Sequence, residues 1–257
     1  MAKYVFALFC VAASATSLAA DDTVPIRHGA DPMAAAVRIR ITENQQSQVG
    51  SGTIIQSQPG YALVLTCAHI MDRAGDDALI EVDVFTNDEG RIFLGKIIGH
   101  HIDSDVGLIS IRPRTTLPVA TVDFSTAGIA SGDPVMSIGC NNGARPSRLH
   151  VCVRDVNPYQ GADNLTCACA PTHGRSGGGL FNQAGRLIGV CSAANRKLDH
   201  GLYAGRGAIR EMLERHDLTS FVQGPGAGSK VRTASQSDSN PSVQTATGDQ
   251  AADKAIR

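Results

Sequence analysis

The chain has 257 residues, enough for one large domain or two small ones with a sizeable core. Its 23 Lys and Arg nearly balance 24 Asp and Glu, for a formal net charge of -1. So even a balance offers no electrostatic footprint for a nucleic acid or an acidic membrane as partner.

The opening stretch, MAKYVFALFCVAASATSLAA, places Lys3 ahead of an apolar run over residues 5–13 and ends in the small residues Ser17, Ala19 and Ala20. That is the pattern of a secretory signal over residues 1–20, cut after Ala19 or Ala20. The apolar run is shorter than the ~20 residues of a membrane span. No later segment reaches that length, and Cys10 lacks the small neighbours of a lipid-attachment site. The mature chain is therefore expected to be secreted or periplasmic and to have no membrane span. Residues 21–33 form a short, featureless extension.

From AVRIRI onward, short β-branched runs alternate with turns: GSGTIIQS, YALVLTCAHI, DALIEVDVF, RIFLGKIIG and DVGLISI. Their spacing is that of an all-β barrel or sandwich. After RPRTTLP a second series begins with ATVDF and continues through DPVMSIGC, RLHVCVRDV, LTCACAP, GGLFN, RLIGVCSA and GLYAG. Two comparable β units, 34–114 and 115–205, account for this economically. A helix is expected over 206–222, where Ile209, Met212 and Leu213 share one face and Arg210–Glu214 and Glu211–Arg215 stand at i,i+4. Residues 223–257 are mostly small and polar, with Val231, Val243 and Ile256 as the large aliphatics. Such a stretch cannot bury enough surface to offset its ordering entropy and is expected to be a disordered tail.

Signal removal leaves Cys67, Cys140, Cys152, Cys167, Cys169 and Cys191. An even count in an oxidising compartment predicts disulfides, in pairings that the sequence cannot rank. A metal reading of Cys167, Cys169 and His173 fails for want of C-x2-C spacing. His100 and His101 beside Asp103 and Asp105 read as a solvated loop rather than a metal site. No cofactor or metal is called for.

PTHGRSGGGLFN, residues 171–182, sets Ser176 among four glycines. Glycine permits positive φ and close backbone approach, so such a serine can be presented as a reactive hydroxyl. It then needs a histidine base oriented by a carboxylate. His69 ends the strand-like YALVLTCAH, exposed enough to work and rigid enough to be aimed. Asp105 abuts the apolar run VGLISI, whereas Asp103 lies further into the polar loop, so Asp105 is the better orienting acid.

These segments resemble those of trypsin-like serine proteases. GSGTIIQSQPGYALVLTCAHI is similar to that family's G-S-G…T-x-A-H segment, SDVGLISI to its T-D-h-A-h-h-x-h segment (h, apolar) and GRSGGGLFNQAGRLIGV to its G-N-S-G-G-P-L segment. The likeness is greatest to the exported HtrA-type branch and covers roughly residues 34–216. The resemblance implies an all-β fold of two six-stranded antiparallel barrels with a C-terminal helix and a cleft between the barrels. It implies a serine endopeptidase acting on a protein or peptide substrate. Ser176 would be the nucleophile, His69 the general base and Asp105 its orienting acid, with the N–H groups of Gly174 and Ser176 as the oxyanion hole. Ser192 would contact the buried aspartate. The primary pocket would be walled by Ala170, Pro171, Thr172 and His173 on one side and by Cys191, Ser192, Ala193 and Ala194 on the other.

The chain also departs from the family. Arg175 stands where chymotrypsin-type enzymes carry an aspartate that pairs with a freed N-terminus, and Gly179 replaces the usual proline. Residues 223–257 are too few and too polar for the PDZ module common after HtrA protease domains. A monomer is expected, with an HtrA-type trimer as the alternative. The competing functional reading is a catalytically silent trypsin fold that binds a partner without cleaving it.

Overall fold

The computed structural model describes residues 31–222 except residues 73, 76, 87 and 88. The signal segment, residues 21–30 of the extension and the tail at 223–257 lie outside the described residues. Among the described residues, thirteen strands form two sheets.

The first sheet holds β1 (Ala36–Glu43), β2 (Gln46–Gln58), β3 (Tyr61–Thr66), β4 (Leu79–Thr86), β5 (Glu89–Leu94), β6 (Lys96–His101) and β7 (Val106–Ile111), in the order β5-β4-β1-β2-β3-β7-β6. Strand β1 shows why these segments are strands. Val37, Ile39 and Ile41 are buried in the core at alternate positions, the period of two that gives a sheet one inner face. Between them Arg38 and Arg40 lie directly opposite Asp83 and Glu81 of β4 and pair with those carboxylates at 2.5 and 3.0 Å. Charge complementarity across the strands thus reinforces the register set by the apolar face.

The sequence suggests one strand through RIFLGKIIG, but the chain splits there into β5 and β6, the two outermost strands of the sheet. Gly95 is the corner. A Cβ on it would lie 2.8 Å from the Ile80 methyl and 2.9 Å from that of Ile109, and its N–H donates to Ile80 O at 2.8 Å. Only glycine turns so close to two strands. Because the terminal strands are consecutive in the chain and joined at this corner, the sheet curls round on itself through a bent strand. Its expected six strands become seven once that strand is counted as two.

The second sheet is a closed six-stranded barrel, β10-β13-β12-β11-β8-β9. Its strands are β8 (Pro134–Gly139), β9 (Ser147–Val156), β10 (Asn164–Ala168), β11 (Gly179–Phe181), β12 (Leu187–Asn195) and β13 (His200–Ala204). Its core includes Val135, Val153, Leu165, Leu180, Ile188 and Tyr203. ATVDF does not become a strand and contributes only the bridge between Val122 and Leu187. Asp123 ends the extension there by accepting from the N–H of Ser125 at 2.9 Å, an Asx turn.

The helical segment is shorter than expected. Helix α1 (Arg206–Arg215) buries Ala208, Ile209, Met212 and Leu213. It stops before Asp217, whose φ of 54° is left-handed, and the chain resumes in α2 (Thr219–Val222). Arg215 pairs with Glu211 at 2.6 Å, but Arg210 turns away from Glu214 to donate to Phe124 O at 3.0 Å.

The six cysteines among the described residues stand as free thiols, where the sequence suggested disulfides. Cys140 and Cys67 are buried and engaged locally: Cys140 Sγ donates to Val37 O at 3.7 Å, and Cys67 Sγ lies beside His69. Cys167 pairs in register with Val153, and both are buried, whereas neighbouring Cys152 is exposed on the opposite face of β9. Side chains on opposite faces of a sheet cannot be bridged without moving backbone.

Candidate active site

His69 follows the last residues of β3 across the buried Cys67 and Ala68. Its backbone N–H donates to Asp105 Oδ1 at 2.9 Å, and its Nδ1 lies 2.8 Å from Asp105 Oδ2. Asp105 precedes β7 in a left-handed turn, φ 50°, which aspartate tolerates. Its side chain is 18% exposed, against 45% for His69. An ionised carboxylate can only accept, so Nδ1 carries the imidazole proton and Nε2 keeps its lone pair. Asp103 lies elsewhere, with its side chain 94% exposed and 3.9 Å from His101 Nε2.

Ser192 also reaches Asp105, donating its hydroxyl to Oδ2 at 2.5 Å. A bulge makes this possible. In the pairing of β12 with β13, Cys191 faces Tyr203 and Ala193 faces Leu202, leaving Ser192 as the extra residue. Bulges re-aim side chains in this way, and Ser192 thereby ties the second barrel to the carboxylate of the first sheet.

Ser176 is half-buried in the loop before β11. Its carbonyl accepts from the N–H of Ser51 at 2.7 Å, and Gly177 N–H donates to Cys191 O at 2.7 Å. A Cβ on Gly177, φ +84°, would lie 2.2 Å from both Ser51 O and Thr66 Oγ1 and 3.1 Å from Cys67 N. This packing sets the serine loop against the chain just ahead of His69. Among the described residues no hydrogen bond joins Ser176 Oγ to His69. Instead His69 Nε2 lies 3.7 Å from Cys67 Sγ.

Two residues that the sequence reading missed shape this loop. The N–H of Asn142, in the turn after β8, donates to His173 O at 2.7 Å. The hydroxyl of Ser51, fully buried, donates to Gly174 O at 2.7 Å and accepts from Cys140 N–H at 2.8 Å. The GSG motif was the one signal for Ser51, and nothing in CNNGAR marks Asn142. Gly174 is held at φ +84°, where a Cβ would stand 2.6 Å from Cys140 O.

Arg175 is the largest fully buried side chain among the described residues, 1% exposed. Its guanidinium donates to Gly139 O at 3.3 Å and to Ser147 O at 3.0 and 3.1 Å, fastening the loop to β8 and β9. Burial lowers its pKa, and the nearby tyrosine and thiols oppose that shift.

Strand β13 lies between one residue of each proposed pocket wall. Gly201 pairs with Ala194, and a Cβ on it would lie 3.0 Å from Pro171 Cδ. Pro171 and Cys191 are buried, Ala170 and Ser192 are half-buried, and Thr172, His173, Ala193 and Ala194 are exposed. Asp199, also missed, accepts from Ala170 N–H at 2.8 Å on an exposed turn.

A closed six-stranded barrel packed beside a second curled sheet, with His69, Asp105 and Ser176 near their junction, is a known architecture. The structure is similar to that of a serine endoprotease from Yersinia pestis, with a TM-score of 0.61 at 22% identity over 74% of this chain and 65% of that one. It is also similar to a protease from M. tuberculosis in its active form, TM-score 0.58 at 21% identity, over 71% and 81% of the two chains. These likenesses establish the fold. A family model described as a trypsin-like peptidase domain matches residues 50–190, and the chain belongs to that family. Among curated relatives, the periplasmic pH-dependent serine endoprotease DegQ of Escherichia coli (strain K12) is 32% identical over 152 residues, 56% of this chain and 31% of DegQ. The periplasmic serine endoprotease DegP of Salmonella typhimurium is 31% identical over 153 residues, 56% of this chain and 30% of DegP. The chain thus matches these relatives over about a third of their length. No helix among the described residues is long and apolar enough to cross a membrane.

Proposed function

We propose that the protein is a secreted or periplasmic serine endopeptidase that cleaves protein substrates by acyl transfer, with Ser176, His69 and Asp105 as its triad. The observation that carries this reading is the carboxylate–imidazole pair. Asp105 fixes the ring at both Nδ1 and the backbone, so the basic lone pair is on Nε2. In the reaction Nε2 takes the Ser176 proton as Oγ attacks the carbonyl, Asp105 stabilises the imidazolium, and the same proton passes to the leaving amine. Water then repeats the sequence on the acyl-enzyme. The missing Ser176–His69 bond is compatible with this, because catalytic hydrogen bonds often tighten only once substrate is bound.

The backbone supports an oxyanion hole. The carbonyls of His173 and Arg175 accept from Asn142 N–H and Gly178 N–H. In a trans peptide the N–H points opposite the carbonyl, and no peptide among the described residues is cis. The N–H groups of Gly174 and Ser176 therefore face away from those anchors. Neither donates to another of the described groups. Arg175, bonded to carbonyls, fastens the loop from within, so this arrangement does not wait on a freed N-terminus.

The pairing of His69 Nε2 with Cys67 keeps a second reading in view, a trypsin fold that binds proteins without cutting them. A fluorophosphonate titration separates the two. Stoichiometric labelling that vanishes in Ser176→Ala is the expected result, and folded protein that takes no label is the binding module. Gel filtration distinguishes the expected monomer from a trimer.

A further inference from the structure

Cys67 is not needed by the proposed reaction, yet its sulfur lies 3.7 Å from the one imidazole nitrogen that is. The donor atoms of Cys67, His69 and Asp105 all fall within 4.8 Å of one another. An imidazole whose Nδ1–H is bonded to a carboxylate and whose Nε2 is bare has the arrangement of a metal-ligating histidine, orienting partner included. In tetrahedral zinc geometry, with Zn–S of about 2.3 Å and Zn–N of about 2.0 Å, the two donors stand roughly 3.5 Å apart. The observed separation already approximates that.

We propose that Cys67 Sγ and His69 Nε2 form a binding site for a thiophilic divalent cation such as zinc, with Asp105 orienting the imidazole. One thiol and one imidazole select zinc or copper over magnesium or calcium, whose preferred ligands are oxygens. The sulfur itself is buried, but the His69 side chain is 45% exposed, so an ion enters along the open side of the ring. Burial, with the charge of Asp105 and the thiol of Cys191, pushes the Cys67 thiol well above its ordinary value, against smaller opposing effects at Ile70 and Thr66. The ion displaces the thiol proton to solvent, one proton per thiolate–metal bond formed. With Nε2 coordinated, the lone pair that would take the serine proton is occupied. That inhibitory consequence rests on the proposed peptidase reading, whereas the binding itself does not.

The test uses the full chain carrying Ser176→Ala, titrated with zinc chloride in a calorimeter. One ion per chain is expected, with affinity falling by about 10-fold or more when Cys67→Ala is added. Circular dichroism checks that the double variant folds. Should it not fold, cobalt(II) replaces zinc in the Ser176→Ala protein, and a thiolate-to-cobalt charge-transfer band reports the sulfur ligand directly. Absence of stoichiometric binding, affinity unchanged by Cys67→Ala in folded protein, or cobalt binding without that band overturns the proposal. The wild-type chain is labelled with fluorophosphonate in parallel. Label that zinc suppresses and a chelator restores supports both the site and the enzyme. Zinc binding to a chain that never takes label keeps the site and refutes the peptidase, and label indifferent to zinc does the reverse.

Discussion

The N–H of Asn142 donates to the carbonyl of His173 at 2.7 Å, so the turn after β8 fixes the peptide that precedes Gly174. Ser51 holds the next carbonyl, that of Gly174, from the other side at 2.7 Å. A substitution that breaks this orientation should act on turnover more than on substrate affinity. Gly174→Ala places a Cβ 2.6 Å from Cys140 O at φ +84°. It should lower kcat by about 10²- to 10³-fold, the loss typical of one oxyanion donor. Ser51→Ala leaves Gly174 O and Cys140 N–H unpaired in the interior and should cost about 1–3 kcal/mol of stability. Steady-state kinetics and urea unfolding measure the two effects.

Ser176→Ala and His69→Ala should each reduce kcat by about 10⁶-fold, and the double variant should lose little more, because the groups act as a unit. Asp105→Asn should cost about 10⁴-fold through the wrong imidazole tautomer. Asp103→Asn, altering a side chain 94% exposed, should leave peptidase activity near wild type. Full activity in Asp105→Asn would remove that residue from the site.

Acid should also weaken the fold at Asp123. Burial acts to raise its pKa, but hydrogen bonds from Ser125 and the charges of Arg206 and Arg186 outweigh it and hold the group below its ordinary value of 3.8. A depressed folded pKa means stability that is present above 3.8 and lost as pH falls through the folded value. Thermal melting followed downward from pH 5 should show a steeper decline for wild type than for Asp123→Asn. Equal slopes would show that the carboxylate is not linked to folding.

Alkylation with iodoacetamide under native, non-reducing conditions should modify Cys152 and Cys169, which are exposed. Burial pushes the Cys140 thiol up to about 11 and those of Cys167 and Cys191 up to about 12. These three should resist, since the thiolate is the nucleophile. After denaturation without reductant all six should react. Peptide mapping that finds any of them still blocked would reveal a disulfide.

The proposed pocket walls carry small and mostly apolar side chains, so cleavage after Ala, Val, Leu or a similar aliphatic residue is expected. Desolvating an Arg or Lys side chain without a buried carboxylate is unfavourable. A peptide-library digest reads the preference. Dominant cleavage after Arg or Lys would implicate Asp199, which lies against Ala170, and dominant cleavage after Glu or Asp would mean that His173 reaches into the pocket.

The sequence by itself determined the two β series and singled out the segments around His69, Asp105 and Ser176 as candidates for chemistry. Alternating β-branched runs such as AVRIRI carry the period of two of a half-buried strand, and GRSGGG and TCAH stand out by their resemblance, in order, to segments of trypsin-like serine proteases. What it could not determine depends on partners remote in the chain. RIFLGKIIG reads as one strand because the side chains of Ile80 and Ile109, which make Gly95 a corner, are invisible locally. ATVDF reads as a strand until Asn182 and Arg206 converge on Asp123. The cysteine count suggested disulfides, whereas the faces of β9 and β10 decide which sulfurs can meet. The bulge behind the Ser192–Asp105 contact that the resemblance implied, and the anchoring of His173 by Asn142, were likewise settled by tertiary structure. A bulge exists only once β12 and β13 pair, and a loop carbonyl meets its donor only once segments remote in the chain come together.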